Sequence, residues 1–103
     1  MNLAIDLPLE DLRNVGRKHG LLRLSLFGSV LREDFDQSRS DVDVLVRLPP
    51  SSVRRYSYMD LARLAVDLED VCGREVDVSV EDMLRPGYRE SILAEVETVY
   101  DAE

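Results

Sequence analysis

Two segments of this chain alternate apolar and acidic residues in the same phase, and that phase demands a sheet with one apolar and one acidic face. Residues 41–46 read Asp-Val-Asp-Val-Leu-Val and residues 74–80 read Arg-Glu-Val-Asp-Val-Ser-Val. Successive side chains of a strand point to opposite faces, so Asp41 and Asp43 project together while Val42, Val44 and Val46 line the other side. In the second segment Val76, Val78 and Val80 share one face, and Glu75, Asp77 and Ser79 the other. If both strands bury their valines under the same helices, Asp77 joins Asp41 and Asp43, and three carboxylates meet. Such a group repels itself and raises its own pKa values unless a cation or a donor network compensates. Oxygen-only ligands suit Mg²⁺, which is readily shared between carboxylates and a substrate phosphate. Alone, the Asp-x-Asp dipeptide is more simply a solvated face; the triad across two strands is harder to explain that way. Glu75 has the parity of Asp77 and competes with it as third ligand, but lies nearer the strand start.

Upstream, residues 24–27 read as a short buried strand and residues 29–34 as the opening of a helix, with Gly28 and Ser29 at the junction. A helix start offers unpaired N–H groups and the positive end of a dipole, both favourable to phosphate. Gly28 permits close backbone approach and Ser29 adds a hydroxyl donor. Arg32, one turn on, reaches the same anion or pairs with Asp34 or Asp36. A Gly-Ser step by itself is a plain turn with a serine cap.

The remaining elements supply scaffold. Pro8 to Lys18 is an amphipathic helix with acidic residues after Pro8, basic residues at its end and Gly20 beyond. Pro49-Pro50 ends the Asp-x-Asp strand. Ser57 to Cys72 is the strongest helix: Ser57 and Asp60 resemble a capping box, Leu61, Leu64, Ala65, Leu68, Val71 and Cys72 form an apolar stripe, and Gly73 follows. Tyr58 and Met59 are expected in the core with that stripe. Residues 81–84 read as a single turn, 88–95 as a last helix with Tyr88, Ile92 and Leu93 inward, and 96–100 as a short edge strand.

At 103 residues the chain reads as one domain, residues 1–103, large enough to bury a core without a staple. It has no apolar run of membrane-spanning length and no secretory signal at its start, so a cytoplasmic location is expected. The single cysteine, Cys72, reads as a small buried hydrophobe, and the lone histidine, His19, is distant in sequence. A formal net charge of −8 argues against this chain holding a polynucleotide alone, since that binding draws on many Lys and Arg contacts. A mononucleotide carried with Mg²⁺ remains compatible, and the acidic surface suits a basic protein partner.

The order LFGSVLREDF, SDVDVLV, GREVDVSV resembles the minimal nucleotidyltransferases of the DNA polymerase beta superfamily, whose pattern is Gly-Ser, a spacer, Asp-x-Asp and a later third Asp. The likeness runs from about Leu24 to Val80, and RESILAEVETVY is similar to the family's usual ending. It implies an α/β (α+β) nucleotidyltransferase fold: a small mixed sheet with helices mainly on one face and an acidic site on the other. By position, Gly28 and Ser29, with Arg32 near them, match the triphosphate-binding turn, Asp41 and Asp43 the metal pair, and Asp77 the third carboxylate. The spacer FDQSRS is one residue longer than in many relatives, and Glu33 stands where glycine is common. The resemblance further implies two Mg²⁺ ions, ATP as substrate and in-line attack of a hydroxyl on the α-phosphate. Size and tail resemble the antitoxins paired with HEPN toxins, which add AMP to a tyrosine of the toxin. A small-molecule nucleotidyltransferase completed by homodimerisation, and a non-catalytic binding antitoxin, are the alternatives.

Overall fold

The computed structural model describes residues 3–32, 36 and 41–103. Helix α1 (Leu9–Lys18) begins after Pro8, carries Glu10 and Asp11 in its first turn and Arg17 and Lys18 in its last, and buries Leu12 and Val15. These charges complement the helix dipole at both ends. Strand β1 (Arg23–Phe27) follows, then a one-turn 3₁₀ helix, Gly28–Leu31, and strand β2 (Val42–Arg47).

The proline pair does more than end β2. Pro50 opens a short helix, α2 (Pro50–Val53), because its fixed φ suits a first helical turn. Helix α3 (Tyr58–Cys72) has the full capping box: Asp60 N–H donates to Ser57 Oγ, and the Asp60 carboxylate accepts from Ser57 N–H at 2.8 Å. Gly73 ends it at φ 69°, the left-handed position that glycine takes without penalty. Strand β3 (Val76–Val80) leads through a 3₁₀ turn into α4 (Pro86–Leu93) and strand β4 (Glu97–Asp101).

The four strands form one mixed sheet in the order β3-β2-β1-β4. β1 runs antiparallel to both β2 and β4, whereas β2 and β3 are parallel. A parallel pair needs a crossover, and α2 with α3 provides it. Val42, Val44 and Val46 are fully buried on one face with Leu24, Leu26, Val76 and Val80, beneath Leu12 and Val15 of α1 and Leu64 and Leu68 of α3. The alternating pattern thus decides which face is core, as expected.

Three local readings change. Tyr58 and Met59 are 89% and 62% exposed, in the first turn of α3. Tyr88, expected inward, is exposed, while Ile92 is buried. The acidic face is also not open along its length. A second small core of Phe27, Leu45 and Ile92, flanked by Leu84, Leu93 and Val96, seats α4 over its middle.

Candidate functional site

Register places the acidic residues. β1 and β2 pair Phe27 with Asp43, and β2 and β3 pair Asp43 with Asp77. Because paired residues of adjacent strands share a face, the Asp43 and Asp77 carboxylates stand abreast, on strands about 4.8 Å apart. Asp41 and Glu75 precede the two strands and are exposed, and the Val42 N–H donates to the Glu75 carbonyl at 3.1 Å. Asp43 is half-buried and Asp77 exposed.

The electrostatics follow from that placement. Burial pushes the Asp43 carboxyl above the ordinary carboxylate range, and the negative charges of Asp77, Asp41 and Glu95 push it further, against a smaller opposing pull from the Arg32 guanidinium. An acid held in this way gains from any cation that settles between the carboxylates. Among the described residues, no group of three His, Cys, Asp or Glu is gathered tightly enough to form a ready-made metal cage. The donor set nonetheless fits Mg²⁺, which takes one or two carboxylates, keeps waters and completes its shell with substrate phosphate.

Gly28 turns the chain beside this pair. Its φ is +75°, and a side chain there would land on Oδ2 of Asp43 and 3.2 Å from its Cγ. Only glycine lets the backbone pass so close to the carboxylate. The 3₁₀ turn does not continue as the expected α-helix, because Arg32 is already extended, at φ −124° and ψ 163°. The Val30 carbonyl accepts the Ala4 N–H at 2.7 Å, which ties this turn to the start of the chain. A single 3₁₀ turn adds little macrodipole, so any anion here meets the Gly28 N–H and the Arg32 charge rather than a helix end. Glu33 and the spacer residues 35 and 37–40 lie outside the described residues.

A cavity of about 290 Å³ opens at this point, lined by Phe27, Gly28, Arg32, Asp43, Tyr88, Ser91, Ile92 and Glu95. It brings together three of the residues singled out from the sequence, with Asp77 adjoining through Asp43. Asp41 and Ser29 do not line it; Ser29 is half-buried, and its carbonyl accepts the Arg32 N–H at 2.9 Å. Glu95, which sequence reasoning passed over, does. Its Oε1 accepts the Gly28 N–H at 3.3 Å, and its Oε2 lies 3.5 Å from Arg32 Nη1. The helical spacing of Tyr88, Ser91, Ile92 and Glu95 was the available signal, since an inward Ile92 carries its neighbours to the same edge.

Elsewhere the polar groups serve the scaffold. Cys72 is half-buried, and burial pushes its thiol up to about 11, which keeps it from acting as a nucleophile. His19 Nε2 lies 2.6 Å from Asp67 Oδ2, tying α1 to α3. No helix among the described residues is long and apolar enough to cross a membrane.

The model of the family described as the nucleotidyltransferase domain matches residues 11–99. A Methanocaldococcus jannaschii protein provisionally named a protein adenylyltransferase is 40% identical over 78 residues, 76% of this chain and 78% of that protein. A solved structure provisionally named a minimal nucleotidyltransferase is 34% identical with a TM-score of 0.72, over 86% of each chain. A chain from the complex of a tri-AMPylated Shewanella oneidensis HEPN toxin with MNT antitoxin superposes with a TM-score of 0.67 at 16% identity, over 91% of this chain and 70% of that one. At that identity the last likeness concerns the fold.

Proposed function

The chain belongs to the nucleotidyltransferase domain family and is a nucleotidyltransferase enzyme, and we propose that it transfers AMP from ATP to a tyrosine hydroxyl of a HEPN-type toxin, acting as its antitoxin in the cytoplasm. The observation that carries the reading is the Asp43–Asp77 register pair beside the positive-φ Gly28. The relative named for protein adenylylation, and the toxin in the structural neighbour that carries AMP, support the choice of acceptor.

In this reading the Gly28 N–H and the Arg32 guanidinium hold β- and γ-phosphate oxygens, with the Ser29 hydroxyl as a further donor. Asp41, Asp43 and Asp77 would hold Mg²⁺, two ions in the full site, which would supply charge neutralisation at the triphosphate and a lowered pKa at the incoming hydroxyl. Asp77, exposed where Asp43 is half-buried, faces the acceptor and receives the hydroxyl proton as the tyrosine oxygen bonds to the α-phosphorus and pyrophosphate departs. The half-buried Asp43 anchors the site from beneath. Donors fixed in position before the reaction stabilise charge as it develops, without reorganising at that moment.

The test uses Asp43→Asn, which keeps size and strand fit and removes one ligand charge. Incubated with ATP, Mg²⁺ and a HEPN toxin of the same genome, the parent should add the mass of AMP to the toxin. The variant should bind the toxin, add nothing and fail to protect cells. Protection by the variant equal to the parent's would establish inhibition by contact alone and overturn the enzymatic reading of this pair.

A further inference from the structure

The Glu95 carboxylate sits where the proposed function puts phosphate oxygens. One oxygen takes the Gly28 N–H at 3.3 Å and the other lies 3.5 Å from Arg32 Nη1, in the cavity that Asp43 also lines. Both donors are ones a triphosphate would use. The position is costly for an acid, because Glu95 adds its negative charge to the group around Asp43. Nor does packing force it there: the side chain is 42% exposed and sits just past the end of α4, free to turn to solvent.

We propose that Glu95 is a specificity-determining residue of the nucleotide site, a built-in anion that occupies the phosphate-binding donors and must be displaced by the triphosphate. The proposal rests on the nucleotide reading of the site. Its effect is selective. A ligand that needs the Gly28 and Arg32 donors competes with Glu95, whereas one that does not is indifferent to it. A polyanion carrying its own cation has the charge to win that competition. Once pyrophosphate has left, the returning carboxylate re-forms both contacts.

If the Glu95-occupied form makes up about nine-tenths of the free protein, apparent affinity is reduced about ten-fold, and removing the carboxylate restores it. Glu95→Ala leaves the fold intact, because the side chain lies outside both cores. Calorimetric titrations of parent and Glu95→Ala should be run with ATP, with and without Mg²⁺, and with adenosine. The variant should bind ATP about ten-fold more tightly in both conditions and adenosine equally. Unchanged ATP affinity would overturn the proposal. Weakening confined to titrations with Mg²⁺ would overturn it too, by making Glu95 a metal ligand. If instead the parent binds no ATP at all, the nucleotide reading itself fails, a result distinct from either.

Discussion

Gly28→Ala tests the close passage of backbone past Asp43, and the molecule carries its own control. Gly28 and Gly73 have nearly the same left-handed φ, 75° and 69°, but a Cβ at Gly73 meets nothing within 4 Å, whereas at Gly28 it falls on the Asp43 carboxylate. An L-residue in this conformation costs about 1–2 kcal/mol at either site. The smaller entropy gain in the unfolded chain is shared and cancels. Gly73→Ala should therefore lower Tm by about 5–15 °C for a domain of this size. Gly28→Ala has to turn Asp43 out of its rotamer besides, a further ~0.5–1.5 kcal/mol, and so another ~3–10 °C. Thermal unfolding by circular dichroism gives both values, and AMP transfer is measured in parallel. Gly73→Ala should keep transfer, and Gly28→Ala should lose it. In an Asp43→Ala background, the excess cost of Gly28→Ala over Gly73→Ala should vanish. Equal destabilisation by the two alanines in the parent, or an excess that persists without the Asp43 carboxylate, would refute the reasoning.

Three other outcomes are expected. Because the Asp43 carboxyl titrates above its ordinary value, the folded protein holds that proton more tightly than the unfolded chain, so stability falls as pH rises through the raised pKa. Asp43→Asn should therefore raise the urea midpoint at pH 7 and lose that advantage near pH 4, and a lower midpoint at pH 7 would contradict it. Arg47 makes two hydrogen bonds, at 3.0 and 2.9 Å, to the buried Glu81, so Arg47→Leu strands that carboxylate and should cost about 2–3 kcal/mol by chemical denaturation, below the value of a fully buried pair because Arg47 stays partly exposed. His19 and then Lys18 hold the Asp67 carboxyl below its usual range, a contribution present above the unfolded pKa and lost as pH falls through the folded one. Asp67→Asn should lower Tm at pH 7 and converge on the parent below about pH 4; a gap that stays constant with pH would exclude the charge contact as its cause.

What could be read from residue order divides along the range of the interactions. Strand parity is a local property, so the common face of Asp43 and Asp77 followed from counting, as did the buried valines and the capped α3. The 3₁₀ geometry after Gly28 did not, and the turn's bond to the Ala4 N–H is a contact distant in sequence. Tyr58 and Met59 misled because hydrophobicity in a first helical turn does not say whether the turn reaches the sheet. Glu95 escaped notice because its partners, Gly28 and Arg32, lie 67 and 63 residues upstream, and only the seating of Ile92 on Phe27 and Leu45 brings it back to them.

The sheet order has a consequence for how the molecule comes into being. Gly28 and Asp43 can meet as soon as the β1–β2 pair closes, but Asp77 arrives only after the α3 crossover, and Glu95 later still. The strand that follows, β4, docks on the free edge of β1, where Asp101 pairs with Arg23 and the Ala102 N–H reaches the Leu22 carbonyl at 2.8 Å. Such long-range closures are the slow steps of chain collapse. During synthesis, a ribosome-bound chain that has not yet released β4 would present the Gly28 turn and Asp43 without a finished sheet behind them. A nucleotide bound at the Gly28 turn would in turn stabilise the closed sheet against reopening.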